Sequence, residues 1–220
     1  MTKTTKAYKG LPMEGVIASW YARTTLKDLN RHAGMARQLV GLIPAHGSVL
    51  EIAPGPGYFC IELAKLGSFQ ITGLDISKSF VDIARKNAKA AGVAIDVQEG
   101  NASAMPFKDN TFDFIFCQAA FKNFSEPIKA LAEMYRVLKP NSKALISDLR
   151  RDASTEDIER EIKGMRLGRL NEFLVQWTFN HMLLKSAYSV DEMKAMVAQT
   201  PFGKCRIDVL GVGFQAWLEK

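Results

Sequence analysis

Cysteine is scarce in this chain: three in 220 residues, at Cys60, Cys117 and Cys205. Thiols so few and so scattered build neither a disulfide framework nor a metal cage, so a stapled scaffold and a structural metal domain are both excluded. Histidine is equally rare, with three. No apolar run approaches the ~20 residues that a bilayer span needs. The start, Met1-Thr2-Lys3-Thr4-Thr5-Lys6, is polar and basic with no apolar stretch behind it, so a secretory signal is not expected. Repeats and low-complexity linkers are absent, as are Lys/Arg runs longer than two. The expected compartment is a reducing cytoplasm, with Cys60 and Cys117, both in apolar runs, acting as small core hydrophobes.

What is present is one substantial core. At 47% hydrophobic the chain can bury a single large domain. The net charge of +6 is diffuse, shared by Lys3, Lys6 and Lys9, by Arg150-Arg151 and by scattered lysines. Such a spread reads as a solvated surface rather than a nucleic-acid patch, and it is also available to an anionic substrate.

The densest information lies in Ser48–Gly57, where an apolar strand (Val49-Leu50-Glu51-Ile52) runs into Ala53-Pro54-Gly55-Pro56-Gly57. A helix opens near Tyr58, and Asp75 closes the next apolar run. Glycines let backbone approach a ligand, a helix N-terminus favours its anionic end, and the carboxylate suits ribose hydroxyls. Phe59 and Cys60 stand where a third glycine would, which argues against a dinucleotide.

Around this turn, strands (49–53, 69–75, 93–99, 112–118, 144–148) alternate with helices (58–66, 78–91, 126–138). Ser77 and Ser125 stand at N-cap positions and Pro127 in a first turn. The pattern predicts an α/β fold, a doubly wound and mostly parallel sheet, with ligands at the carboxyl ends of its strands. Gly55, Asp75, Asn101 and Gln118 all fall there. Residues 1–12 read as a flexible tail and 13–46 as two helices joined near Thr24-Thr25. Residues 47–150 form the cofactor-binding core, 151–188 a helical lid, and 189–220 a helix and terminal hairpin. In the lid, Leu170, Phe173, Leu174, Trp177, His181 and Leu184 form one stripe, and Glu156/Arg160 and Glu159/Lys163 are spaced as i,i+4 pairs.

Five ordered blocks carry a resemblance. They are Val49–Gly57, Gly73-Leu74-Asp75-Ile76-Ser77, Gly100-Asn101-Ala102 with Met105-Pro106-Phe107, Phe112–Cys117, and Arg136-Val137-Leu138-Lys139-Pro140. Together they resemble the class I S-adenosylmethionine-dependent methyltransferases, closest to the small-molecule, quinone-biosynthesis branch. The resemblance implies a seven-stranded Rossmann-like fold, S-adenosyl-L-methionine as cofactor and S-adenosyl-L-homocysteine as product. It implies that Ala53, Gly55 and Gly57 admit the methionyl part and that Glu51, where Asp is commoner, assists its ammonium. Asp75 holds the ribose, Ile76 covers the adenine, and Asn101, often Asp in the family, either accepts from the adenine amino group beside the Ala102 N–H or forms a turn. Cys117 and Gln118 lie near the methionyl group, and Tyr21 resembles the aromatic element that closes over the cofactor.

The acceptor side is less legible. The family often carries a His pair where this chain has Lys122-Asn123. Lys122 either holds an anionic substrate or caps the strand end. His181 is the best internal base or a satisfied core histidine. Arg150 and Trp177 are candidates for a small acceptor, anionic or aromatic, in a monomer or homodimer without a membrane span. The expected reaction is in-line methyl transfer, achieved mostly by positioning. The alternatives are an RNA methyltransferase and a non-catalytic S-adenosylmethionine-binding protein.

Overall fold

The computed structural model describes residues 8–9, 13–164 and 184–220. Seven strands form one sheet in the order β3-β2-β1-β4-β5-β7-β6. They are β1 (Ser48–Ile52), β2 (Gln70–Asp75), β3 (Asp96–Glu99), β4 (Phe112–Gln118), β5 (Leu138–Leu149), β6 (Arg206–Leu210) and β7 (Gly213–Glu219). The first five pair in parallel; β7 runs antiparallel to both β5 and β6. The strand order reverses between β1 and β4, and such a switch opens a ligand crevice at the carboxyl ends.

Side-chain alternation along the strands divides the core into two faces. Leu50, Ile52, Ile115, Cys117, Ala144 and Ile146 meet α5 (Pro127–Val137) and α7 (Val190–Ala198) on one face. Val49, Ile71, Phe114, Phe116 and Leu145 meet α2 (Leu29–Leu39) and α3 (Tyr58–Ala64) on the other. Aromatics bring large buried area to this second face, and Phe59 lies 4.3 Å from Phe116, centroid to centroid. Among the described residues no helix is long and apolar enough to cross a membrane.

Several expectations are corrected. Ser77 caps α4 (Lys78–Ala90) by accepting from the Phe80 N–H, but Ser125 does not cap α5. Glu126 holds that place without a side-chain bond, and Ser125 Oγ is buried with no partner among the described residues. The third strand starts at Asp96 rather than Val93, because the Val93 N–H turns back to the Ala88 carbonyl to close α4. The fifth strand starts at Leu138, directly on the end of α5, with a register shift between Phe112 and Phe114 opposite. In α6 (Thr155–Gly164), Arg160 pairs with Asp157 rather than Glu156. The tail reading fails at Tyr8 and Lys9: Tyr8 bridges Phe124, and the Lys9 N–H donates to the Asn123 carbonyl at 2.8 Å.

The two N-terminal helices form as expected, α1 (Gly15–Thr25) and α2, joined by a short 3-10 turn. The burial of α1 is the reverse of an ordinary amphipathic helix. Ala18 and Ala22 face inward, whereas Val16 and Trp20 are 83% and 63% exposed. Polar contacts seat its start on that of α4: Gly15 N–H donates to Ser79 Oγ at 2.9 Å, and Ser77 Oγ–H to the Met13 carbonyl at 2.7 Å. The carboxylate of Glu14 accepts from the Ser79 hydroxyl.

Candidate cofactor and active site

The turn after β1 is held on three sides. The Ala53 N–H donates to the Leu74 carbonyl at 2.8 Å, the Gly57 N–H to the Pro54 carbonyl at 2.9 Å, and Asn87 Nδ2 of α4 to the Pro56 carbonyl at 2.9 Å. Gly55 and Gly57 both take left-handed φ, +53° and +79°. A Cβ at Gly57 would stand 3.0 Å from the Ala84 Cβ, so this glycine is required for helix packing as well. At Gly55 a Cβ would meet nothing within 4 Å, so the backbone there borders open space. Ala53 also has positive φ, +55°, without glycine's freedom.

Two carboxylates flank the turn, and both are 4% exposed. Glu51 Oε2 accepts the Cys60 backbone N–H at 3.2 Å and the Cys60 thiol at 2.8 Å. It thereby satisfies a donor in the first turn of α3, where the helix dipole favours negative charge. Its other oxygen forms no hydrogen bond within the described residues. Burial pushes the Glu51 carboxyl up to about 7; nearby Asp75 adds to the rise, and the Cys60 bonds oppose it. Asp75 Oδ2 accepts from the Gly55 N–H at 3.0 Å and Oδ1 from the Ser77 N–H at 2.9 Å. Burial raises it to about 6 against those two bonds, with Glu14 adding repulsion. Among the described residues neither acid has a cationic partner. Each Asp75 oxygen keeps a lone pair beyond its backbone bond, so the side chain is locked while still able to accept from a ligand.

The remaining expected contacts divide. Ile76 is exposed beside Asp75, and Tyr21 packs edge-on against Phe80 at 5.8 Å. Gln118 stands at the end of β4 with a buried Oε1 that has no partner among the described residues, as an atom left for a ligand would be. Cys117 is corrected: alternation sends its thiol into the apolar cluster with Ile115 and Ile146, and burial drives its pKa well up. Asn101 forms a tight turn, its Oδ1 receiving the Ser103 N–H at 2.9 Å. That oxygen shapes the turn and keeps one lone pair beyond its backbone bond, and Ala102 beside it packs on the core.

On the acceptor side two expected substrate contacts are structural. Lys122 is buried, its Nζ 2.9 Å from Asp148 Oδ1 and 2.8 Å from the Ala119 carbonyl. Its backbone N–H meets Asp148 Oδ2 at 3.0 Å. A cation so matched is not waiting for an anion. Arg150 donates to the Gly211 carbonyl at 2.8 Å, to the Asp152 carbonyl at 2.7 Å and to Asp157 at 2.6 Å. It ties the end of β5 to the terminal hairpin and α6. Trp177 and His181, with most of their stripe, lie outside the described residues. Asn87, Cys60 and Asp148 were not anticipated, because each meets its partner only after folding.

Comparison with known proteins bears on the fold and on family likeness. Residues 50–146 match the family model described as a methyltransferase domain. Over that stretch the chain is similar to methyltransferase domains. It is 36% identical over 156 residues to a demethylmenaquinone methyltransferase of Deinococcus radiodurans, covering 68% of this chain and 65% of that one. It is 34% identical over 116 residues to the ubiquinone/menaquinone biosynthesis C-methyltransferase UbiE of a Marinomonas species, covering 51% and 46%. The chain therefore spans less than two thirds of these relatives. A solved structure from Methanococcus maripaludis, provisionally described as an S-adenosyl-L-methionine-dependent methyltransferase, superposes with a TM-score of 0.77. It is 21% identical and covers 96% of this chain and 95% of that one. At that identity the likeness establishes the fold.

Proposed function

We propose that this protein transfers the methyl group of S-adenosyl-L-methionine to a small aromatic, quinone-like acceptor. The observation that carries this reading is the pair of buried carboxylates, Glu51 and Asp75, that flank the glycine turn without a cation. A zwitterionic sulfonium nucleoside matches the set. Glu51 would meet its ammonium, Gly55 its methionyl backbone and Asp75 its ribose. The orphaned Gln118 oxygen adds an acceptor beside the methionyl part. Held by Glu51, Gly55 and Asp75, the cofactor would supply an electrophilic methyl carbon, with sulfur keeping the electron pair of the broken bond.

The chain's own contribution is orientation and exclusion of water. The turn, held by Asn87, fixes one end of the site, while the doubly bonded Asp75 carboxylate fixes the other. Lys122, beyond the end of β4, is matched by Asp148 and so is not a free base for an acceptor. An electron-rich ring, such as a reduced quinone, supplies its own nucleophile at carbon or oxygen and sheds one proton to solvent. The names of the curated relatives favour such a ring.

The test uses S-adenosylmethionine with a labelled methyl group and a panel of demethylated quinols. Label entering an organic extract in step with S-adenosylhomocysteine release is the expected result. Tight binding of S-adenosylhomocysteine without transfer to any ring would leave a binding protein instead.

A further inference from the structure

Helix α1 turns its small side chains inward and its large ones out. Ala18 and Ala22 are buried, and the Ala22 carbonyl accepts the Tyr58 hydroxyl at 2.7 Å, which fixes α1 on α3. Val16 and Trp20 stand out into solvent, joined by half-exposed Ile17 and, just past the helix, by Leu26. Single apolar side chains on a surface are ordinary, but a contiguous patch marks something that it meets. Val16, Trp20 and Arg23 follow one another at i, i+4 and i+7, so they share one face of the helix, with Ile17 beside them.

The charge around this patch is mostly of one sign. From Gly15 to Arg37 the chain carries four cations, Arg23, Lys27, Arg31 and Arg37, against one acid, Asp28, an excess that is half of the net +6 of the whole protein. All four are exposed, and none is ion-paired among the described residues. A second copy docked on this face would set two positive surfaces against each other. An anionic surface is favoured by the same charge, and an apolar strip with Trp, bordered by arginine and lysine, is what a helix in a bilayer interface presents. We propose that α1 is a membrane-docking element, with Val16, Ile17 and Trp20 in the interface of an anionic lipid bilayer and Arg23, Lys27 and Arg31 at its headgroups. The helix lies on the bilayer and does not span it. Met13 and Gly15 are tied to Ser77 and Ser79, just past Asp75, so the docked face adjoins the crevice. The inference goes beyond the proposed methyl transfer and does not depend on it.

Co-sedimentation of the full chain with sucrose-loaded vesicles tests it. Phosphatidylcholine vesicles containing about one-third phosphatidylglycerol should bind the protein about tenfold more tightly than phosphatidylcholine alone. Val16→Ser combined with Trp20→Ser should weaken that binding about tenfold, while the melting temperature stays near wild type because both side chains are exposed. Arg23→Glu combined with Lys27→Glu should bring binding to the anionic vesicles down to the level of phosphatidylcholine alone. Wild type left in the supernatant of the anionic vesicles overturns the proposal, as does binding that the apolar double variant leaves unchanged. A dimer in sedimentation velocity that the same variant dissociates overturns it in favour of a second copy. If the apolar variant does not fold, the charge variant decides, and unchanged binding there contradicts docking through this face. Calorimetry with S-adenosylhomocysteine reads the cofactor separately, so a failure of docking leaves the methyl-transfer reading intact.

Discussion

The two halves of the crevice treat buried charge in opposite ways. At the ends of β1 and β2, Glu51 and Asp75 are buried with backbone donors but no cation among the described residues, and both carboxyls are pushed up. At the ends of β4 and β5, Lys122 and Asp148 neutralise each other, and Arg150 is enclosed by two carbonyls and Asp157. Burial of a lone carboxylate is unfavourable unless something compensates it. Charge left uncompensated in the free protein marks where a cationic ligand belongs. Charge already matched marks scaffold, even when it lies in the crevice.

The largest effect expected from breaking this contrast is on stability, at the matched pair. Lys122→Ala leaves the Asp148 carboxylate buried without its cation and should cost about 3 kcal/mol, read from urea denaturation. Lys122→Met combined with Asp148→Leu should recover most of that loss. On the unmatched side the effect should move to binding. Asp75→Asn replaces one acceptor oxygen by a donor facing a backbone N–H. It should weaken S-adenosylhomocysteine by roughly thirtyfold, about 2 kcal/mol, in a calorimetric titration.

The same contrast sets a pH dependence. Glu51 and Asp75 hold protons more tightly in the folded chain than unfolded, so their stabilisation is whole below the ordinary values of 4.5 and 3.8. It is lost as pH rises through about 7 and about 6. The melting temperature of the free protein should therefore fall across that window, and Glu51→Gln should flatten the fall. Affinity for a ligand bearing an ammonium should rise over the same range, as the carboxylates ionise. The smallest effect belongs to the turn itself. Ala53 sits at φ +55°, so Ala53→Gly should relieve left-handed strain and raise stability by about 0.5–1 kcal/mol in the same urea assay.

Much of the strand, turn and helix order on the cofactor side was legible because it is local in sequence. Strand, glycine turn, helix start and closing carboxylate follow one another within Val49–Asp75, and each residue's part depends on neighbours close along the chain. Gly57 illustrates the limit: its positive φ could be anticipated, its contact with Ala84 could not. Strand alternation also sends Cys117 and Gln118 to different faces, so only one of that adjacent pair reaches the crevice. On the acceptor side the sequence left Lys122 between a substrate contact and a strand-end cap; its Nζ meets the Ala119 carbonyl just beyond β4, and the remaining partners are remote. Lys122 meets Asp148 and Arg150 meets Gly211 only once the sheet has formed. Tyr8 was hidden for the same reason: nothing in a short polar tail foretells a bridge to Phe124.

A crystal structure grown with S-adenosylhomocysteine tests the central claim most directly. The account predicts both ribose hydroxyls on the Asp75 carboxylate, at about 2.5–3.0 Å, with the amino-acid end against Gly55 and its ammonium toward Glu51. Ligand bound elsewhere, or these two acids left without a partner at saturation, would contradict it.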